Sequence, residues 1–493
     1  MPDLRANGAG PNSERGTATS RTALVGKTYD DLALGDEASI QRVVTPDDLY
    51  VFAHVSGNLN PLNLPPSGEL SAGDEGSPAP AMWIGSLFSA VLGNLLPGPG
   101  TTYEAQTLRF YARALVGETL NVTVRVQEKR PPRTIVLRTM MTSHGATIAD
   151  GLAEVRAPAT RVAGSGTELP ALTIARHARV ERLRAVCRDL PPLVTAVVAP
   201  EEEMALRGAL AAAREGLIEP VLIGNAEKIR AVAAFCGAAL DGIAIEDVPS
   251  HDAAAALAVE FVHQGRVTAI MKGDLHTDQL LRHVAKSQGG LRTLRRLSHV
   301  FVMDAPALSG LLLVTDAVVN IAPTLEDKVD IVQSAIELAL ALGIVLPKVG
   351  ILSAVEMVNP KIPSTLDAAI LSKMAERGQI RGGLVDGPLA MDNAVSLTSA
   401  RTKGVVSSVA GRADVLVVPN LESGNILAKE LTYAAQAEGA GIVLGAQVPI
   451  MLTSRTDDER ARLFSCVVAV LYDAWRTTGH SAVPLFDEVL PQG

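Results

Sequence analysis

The regular alternation of apolar strand-like runs with helix-length segments, from about residue 190 to the C-terminus, most constrains the fold. Leu193–Val198 is an apolar run, and acidic residues favoured in a helix's first turn follow it at Pro200–Glu203. The same rhythm continues through Val221–Gly224, Ala226–Cys236 and Val267–Met271. Strands that alternate with helices of this length predict a doubly wound parallel α/β sheet. Roughly 300 residues are enough for two sub-domains around a cleft.

The preceding residues follow a different pattern. Ala81–Leu96 is apolar over about four helical turns, so we expect a buried helix. Four segments with period-two alternation come next, and these predict strands at Thr107–Leu115, Glu118–Glu128, Thr134–Ser143 and Thr147–Arg156. A helix wrapped by an antiparallel sheet is the hot-dog arrangement. We therefore predict a disordered tail at 1–24, a hot-dog (α+β) domain at 25–158, a linker at 159–172 and the doubly wound α/β domain at 173–493.

Composition excludes some classes of protein. The net charge of −9 argues against nucleic-acid binding, which needs a basic face. No segment approaches eighteen uninterrupted apolar residues, so no membrane partner is expected. The three cysteines are far apart, without metal-ligand spacing, which favours a reducing cytoplasm and predicts no metal site.

Two apolar runs near the C-terminus, at 414–418 and 449–453, each end in small polar and charged residues. Ligands of open parallel sheets bind at the carboxyl ends of strands, where such clusters collect. The second cluster is the richer one, with Ser454, Arg455, Asp457 and Asp458 close together. A serine, an arginine and carboxylates at a strand end suggest acyl or phosphoryl chemistry.

A second candidate cluster follows the strand predicted at Val267–Met271. Lys272 ends that strand, and a helix is expected to begin near Thr277 as its N-cap, with Arg282 close by. Backbone donors at a helix start could receive an anion there. A capped helix with solvated cations explains the same residues equally well, and no Walker-type phosphate loop is present.

Several segments, taken in order, resemble those of phosphate acetyltransferases and phosphate butyryltransferases. They are Lys-Gly followed by His-Thr and Leu-Arg, Arg-Leu-Ser-His-Val-Phe, Asp-Gly-Pro with Asp-Asn-Ala, Leu-Glu-Ser-Gly-Asn, and Ser-Arg, across residues 185–490. The resemblance implies acyl transfer between coenzyme A and inorganic phosphate, with acetyl preferred. It also implies acyl-CoA and phosphate as substrates and no tightly bound cofactor.

The resemblance assigns roles to individual residues. Ser454 would hydrogen-bond the coenzyme A sulfur, and Arg455 would face the developing oxyanion. The position where the family places an acid holds Ala461, so the nearby Asp457 is the expected proton carrier. We expect six further residues to bind substrate: Lys272, His276, Thr277, Arg282, Asn320 and Asn425.

The N-terminal segment Phe52–Asn63 resembles the MaoC-like hydratase signature, Phe-Ala-x-x-Ser-Gly-Asp-x-Asn-Pro-hydrophobic-His. In that family the Asp and His activate water for addition to an enoyl-CoA. Asn58 and Asn63 stand in their places here, and asparagine cannot accept a proton at neutral pH. His54 is a possible substitute base. We expect a hydratase fold without hydration that binds acyl-CoA or assists assembly.

The combined architecture resembles bifunctional enoyl-CoA hydratase/phosphate acetyltransferases, and a homo-oligomer is expected. Three alternatives stay open from the sequence. One is a non-catalytic acyl-CoA-binding regulator, and another is an active bifunctional hydratase/phosphate butyryltransferase. The third is a decarboxylating dehydrogenase, which would need a metal held by aspartates such as Asp386 and Asp392, but no dinucleotide determinant accompanies them.

Overall fold

The computed structural model describes residues 25–64, 76–164, 172, 178–308, 310–454 and 457–484. The chain forms two compact units, residues 1–172 and 173–493. The predicted disordered tail at 1–24 lies outside the described residues, as does half of the predicted linker, at 165–171. Arg455 also lies outside them.

In the first unit, an antiparallel sheet packs against one long helix. The described elements are β1 (Glu37–Val43), α1 (Pro46–Ser56), a 3₁₀ turn (Pro61–Asn63), α2 (Ala81–Asn94), β2 (Thr102–Phe110), β3 (Thr119–Arg130), β4 (Thr134–Ser143) and β5 (Ala146–Arg156). Among residues 25–64 and 76–164, five strands form the sheet in the order β1-β3-β4-β5-β2. Alternate residues of β3, such as Leu120, Val122 and Val124, are fully buried with Phe88 of α2. This is the predicted hot-dog arrangement.

Three details of this unit differ from the prediction. Strand β2 spans Thr102–Phe110, whereas the alternation predicted Thr107–Leu115. The sequence pattern missed β1 and α1, although the start of α1 carries a clear signal: Thr45 and Asp48 form a capping box there. Helix α2 was expected to be buried on most faces, yet Met82 is 66% exposed. The helix covers one face of the sheet, so its outer side stays open.

The second unit alternates strands and helices along its length. The described elements are α3 (Ala178–Cys187), β6 (Leu193–Val198), α4 (Glu203–Arg214), β7 (Ile218–Gly224), α5 (Ala226–Cys236), β8 (Ala244–Asp247), α6 (His251–His263), β9 (Ala269–Lys272), α7 (Thr277–Val284), β10 (Ser298–Asp304), β11 (Leu312–Thr315), α8 (Leu325–Ala341), β12 (Lys348–Leu352), α9 (Pro363–Glu376), β13 (Leu384–Leu389), α10 (Met391–Val395), α11 (Leu397–Thr402), β14 (Val415–Val417), α12 (Leu421–Tyr433), β15 (Glu438–Leu444), β16 (Ile450–Met451) and α13 (Glu459–Thr478).

In the described part of this unit, eleven strands form one sheet in the order β13-β12-β14-β11-β10-β15-β16-β9-β6-β7-β8. Strand pairing is parallel in two halves of the sheet. One half runs from β13 to β11, and the other from β16 to β8. The centre is antiparallel, because β10 pairs antiparallel with β11 and β15, and β15 pairs antiparallel with β16. The alternation predicted parallel pairing throughout. The short connections at 305–311 and 445–449 cannot hold the crossover that parallel pairing needs.

Helices cover both faces of this sheet. In β15, Ile442 and Leu444 pack on one side with Phe464 of α13, whereas Val443 packs on the other side with Leu280 of α7. Strands buried on both faces are typical of doubly wound sheets, so the predicted fold class is confirmed. Over the described ranges, none of the helices has the length and hydropathy to cross a bilayer.

Candidate functional site

The loop after β16 carries the site predicted from the Ser-Arg pair. Ser454 lies at this strand end, and its backbone N–H donates to Oδ2 of Asp457 at 2.7 Å. The next residue, Asp458, caps α13 by accepting the Ala461 N–H at 2.9 Å. Arg455, the expected partner of the oxyanion, follows Ser454 in the sequence but is outside the described residues. Ser454 and Asp457 are therefore held as one turn above the sheet.

A cavity of about 190 Å³ opens beside this turn. It brings together four of the predicted residues, Thr277, Asn425, Ser454 and Asp457. The strand β9 precedes Thr277, and β16 precedes Ser454, so the cavity lies at the carboxyl ends of neighbouring parallel strands. This is the edge at which open α/β sheets bind ligands. A second cavity, of about 380 Å³, shares Asp457 with the first and is also lined by Ala461.

Two buried cations lie behind the turn. Arg462 is 1% exposed, and its guanidinium donates to the Thr453 hydroxyl at 2.8 Å and to the Ser454 carbonyl at 3.0 Å. It also donates to the Asp457 carbonyl at 3.3 Å. Lys272 is 3% exposed, and its Nζ donates to the Thr453 carbonyl at 3.1 Å. Both side chains therefore fix the backbone of the turn from below and place positive charge under the cavity.

The surroundings of Asp457 alter its acidity. Burial raises the pKa of its carboxyl group above the ordinary value, while the hydrogen bond from the Ser454 N–H and the charge of Arg462 oppose that rise. A carboxyl group with a raised pKa keeps its proton nearer to neutral pH. It can therefore serve as donor in one direction of a reaction and as acceptor in the other.

Some predicted residues lie elsewhere. Arg282 is outside the lining of both cavities, with an exposed side chain 3.6 Å from Asp278. Asn320 is buried but has a local role, because its Nδ2 donates to the Asp316 carboxylate and to the Leu297 carbonyl. The prediction that Thr277 is the N-cap of α7 was wrong by one residue: His276 occupies the N-cap, and Thr277 is the first helical residue.

The cavity wall contains a residue that the sequence analysis did not select. His299, in the Arg-Leu-Ser-His-Val-Phe segment, is 0% exposed and lines the cavity of about 190 Å³. Its ring stacks edge to face on Phe301, with ring centroids 4.4 Å apart and planes at 70°. Burial lowers the pKa of His299 to about 3, so the ring is neutral at physiological pH. The motif that contains it was the only signal in the sequence.

Two aspartates named for a dehydrogenase-type metal site have other contacts. Asp392 forms an ion pair with Lys403 at 3.0 Å. Asp386 accepts the backbone N–H of Gly387 at 2.8 Å. Over the ranges that the structure describes, no group of three His, Cys, Asp or Glu residues is arranged to hold a metal ion.

In the first unit, the two asparagines at the hydratase-signature positions make local hydrogen bonds. Asn58 accepts the backbone N–H of Asn60 at 3.1 Å. Asn63 donates to the Pro78 carbonyl at 2.8 Å. His54 is exposed at the end of α1. The segment thus keeps an ordered turn in which the two signature positions carry amides.

Comparison with known proteins gives matches for both units. The phosphate acetyl/butaryl transferase family model matches residues 250–470. Phosphate acetyltransferase of Rhizobium meliloti is 54% identical over 308 residues, which cover 62% of this chain and 98% of that protein. Phosphate butyryltransferase of Clostridium acetobutylicum is 41% identical over 276 residues, 56% of this chain and 92% of that protein.

Two solved structures are among the matches. A phosphotransacetylase from Streptococcus pyogenes matches with a TM-score of 0.52 and 23% identity, over 60% of this chain and 98% of its own. That likeness concerns the fold of the second unit. The R-hydratase PhaJ1 from Pseudomonas aeruginosa matches with a TM-score of 0.29 and 32% identity, over 31% of this chain and 100% of its own.

Proposed function

Because the chain belongs to the phosphate acetyl/butyryltransferase family, we propose that its second unit transfers an acyl group between coenzyme A and inorganic phosphate, at the cavity beside Ser454. The observation that carries the site assignment is the convergence of Thr277, Asn425, Ser454 and Asp457 on one cavity. The buried cation Arg462 lies behind the same turn. A cavity with a positive floor suits a reaction between two anionic substrates.

The reaction needs one bond to form and one to break. An unprotonated oxygen of hydrogen phosphate attacks the thioester carbonyl, the C–O bond forms, and the C–S bond breaks. The sulfur leaves as a thiolate and takes a proton from the carboxylic acid form of Asp457. Asp457 is thus left as the carboxylate, and after the acyl hydrogen phosphate product leaves, the carboxylate regains a proton from water while the product releases its own to water. Atoms and charges balance without any further reactant.

Each residue role follows from its position. Ser454 is exposed at the rim of the turn, where its hydroxyl can hydrogen-bond the coenzyme A sulfur. Asp457 is three residues further on, with the raised pKa that a proton carrier needs. Arg455, adjacent to Ser454, would stabilise the oxyanion. Lys272 and Arg462 act through the backbone of the turn, so Lys272 is a positioning residue in this proposal.

We further propose that acetyl is the preferred acyl group and that the first unit does not hydrate enoyl-CoA. The 54% identity with a phosphate acetyltransferase supports the acetyl preference. The 41% identity with a phosphate butyryltransferase keeps butyryl as the second candidate. Asn58 and Asn63 support the loss of hydration, because a side-chain amide cannot act as a general acid or base at neutral pH. Cytoplasmic localisation and a homo-oligomer stay predictions.

The test is phosphate-dependent release of free thiol from acetyl-CoA and from butyryl-CoA by the full-length protein. We expect release that requires phosphate, with a higher kcat/KM for acetyl-CoA. Faster turnover of butyryl-CoA would reverse the acyl preference alone. Absence of release from both thioesters, with coenzyme A binding intact by calorimetry, would favour the regulatory alternative.

A further inference from the structure

His299 is a buried polar side chain whose role the proposed mechanism leaves open. It is 0% exposed, and it forms part of the wall of the cavity of about 190 Å³. Among the residues that the structure describes, neither ring nitrogen makes a hydrogen bond of ordinary geometry, and the one backbone acceptor that acts on the ring is the Leu452 carbonyl. A buried polar atom without a well-formed hydrogen bond destabilises the fold, so its retention in a ligand cavity points to a partner on the ligand.

Neighbouring residues hold the ring in place. Phe301, two residues along β10, contacts the ring edge to face. On the neighbouring strand β15, Gly441 leaves the space that the ring occupies. A Cβ atom at Gly441 would lie 2.9 Å from Nε2 of His299 and 2.3 Å from the Leu452 carbonyl oxygen. A larger residue there would displace the ring or the start of the 452–458 loop.

The same geometry selects the tautomer. Nε2 and the Leu452 carbonyl oxygen are both close to the space above Gly441, and the Leu452 carbonyl acts on the ring as a backbone acceptor, which favours the proton on Nε2. Burial keeps the ring neutral. A neutral imidazole carries only one N–H, so Nδ1 presents a lone pair and requires a hydrogen-bond donor.

Of the two substrates, one offers such a donor at the reacting centre. Hydrogen phosphate carries a P–OH group, whereas the thioester carbonyl and sulfur carry no hydrogen. Sulfate, which has a similar shape and charge, has no proton at neutral pH. We propose that Nδ1 of His299 accepts the hydrogen bond of the P–OH group and thereby selects phosphate over sulfate. The attacking oxygen is a different one, so this contact persists while the C–O bond forms.

This inference rests on the proposed acyl transfer, and its experiment separates the two. Initial rates of thiol release are measured against phosphate concentration, with sulfate as a competing inhibitor, for the wild type, His299→Phe, His299→Asn and His299→Gln. We expect His299→Phe to raise KM for phosphate roughly tenfold, with KM for acyl-CoA nearly unchanged, because one hydrogen bond to the anion is lost. The inhibition constant of sulfate should change little.

The two amide variants test the nitrogen. The side-chain amide of asparagine lies near the Nδ1 position, and that of glutamine lies near the Nε2 position. His299→Asn should therefore recover part of the phosphate affinity, and His299→Gln should not. Ser298→Ala is the matched control, since Ser298 is also fully buried with an unpartnered hydroxyl but is outside the lining of the cavity. We expect its kinetic constants to equal those of the wild type.

Each outcome has one meaning. Wild-type turnover with an unchanged phosphate-to-sulfate preference in folded His299→Phe would overturn the assignment of His299 and leave the acyl transfer standing. Equal recovery by asparagine and glutamine would also overturn it, because no single nitrogen would then be responsible. Absence of wild-type turnover would instead remove the proposed function. Circular dichroism and thermal melting of each variant establish that it is folded before its rates are compared.

Discussion

The loop that carries Ser454 and Asp457 and the segment at 58–63 make an informative comparison, because a proton carrier is expected in the first, whereas amides replace the proton-transfer groups of the hydratase signature in the second. In the second unit, Asp457 is partly buried, and its pKa is raised by that burial. In the first unit, Asn58 and Asn63 make local hydrogen bonds to the backbone. An amide can preserve the hydrogen bonds of a turn while removing its acid–base chemistry. The comparison teaches that a preserved backbone says little about preserved catalysis.

The largest expected effect is that of Asp457→Asn. The variant keeps an acceptor for the Ser454 N–H but cannot carry a proton, so we expect kcat to fall on the order of 10²-fold. Asp473→Asn is the control, because burial raises the pKa of that aspartate also, but it lies far along α13 and outside the lining of both cavities. An equal loss in both variants would mean that Asp457 has only a structural role.

The pH dependence of this step has a definite sign. In acylation of coenzyme A by acyl phosphate, Asp457 must begin as the carboxylate, so the rate falls as pH falls through its raised pKa. In the reverse direction it must begin protonated, and the rate falls as pH rises through the same pKa. Both of these falls in rate should be absent from the pH profiles of Asp457→Asn. If either fall persists in the variant, a titratable group other than Asp457 causes it.

An intermediate effect is expected for Arg462→Met. Loss of the bonds to Thr453, Ser454 and Asp457 should loosen the turn and lower kcat roughly tenfold. It should also lower the free energy of unfolding of the second unit by about 1–3 kcal/mol. Arg462→Lys separates the effect of the positive charge from that of the hydrogen bonds, because lysine keeps the charge but cannot form all three hydrogen bonds of the guanidinium. Full activity in a folded Arg462→Met protein would remove Arg462 from the account.

The smallest effect concerns stability. Thr45 and Thr324 each form a capping box, at the start of α1 in the first unit and of α8 in the second. Substitution of either by alanine should cost about 1 kcal/mol of the stability of its own unit. Calorimetry of Thr45→Ala should therefore shift the unfolding of the first unit while acyl transfer at 25 °C is unchanged. Loss of acyl transfer in Thr45→Ala would contradict the separation of the two units' roles.

Much of the fold could be predicted from the sequence. The bounds of β4, β6 and α5 match the predicted segments, because Gly, Pro and charged residues mark where each apolar run stops. The predicted family and fold class are confirmed. The antiparallel centre of the large sheet was not predicted, since β10 and β15 have the continuous apolar pattern of strands buried on both faces.

The candidate site was harder to predict. Thr277, Asn425, Ser454 and Asp457 line one cavity, but they come from separate parts of the chain that only the fold brings together. Arg462 follows the turn on α13. A charged residue at such a position is usually exposed to solvent, and only the structure reveals that Arg462 is buried. His299 was overlooked for a similar reason: a histidine in an apolar strand usually indicates packing rather than binding.

The most direct test of acyl transfer by the second unit, and of lost hydration in the first, measures both activities on one full-length preparation. Thiol release from acetyl-CoA is followed with and without phosphate, and hydration of crotonyl-CoA is followed in phosphate-free buffer by loss of the enoyl absorbance. We predict phosphate-dependent thiol release together with no detectable hydration. Hydration of crotonyl-CoA without phosphate-dependent thiol release would contradict the account, because the first unit would then be the active one.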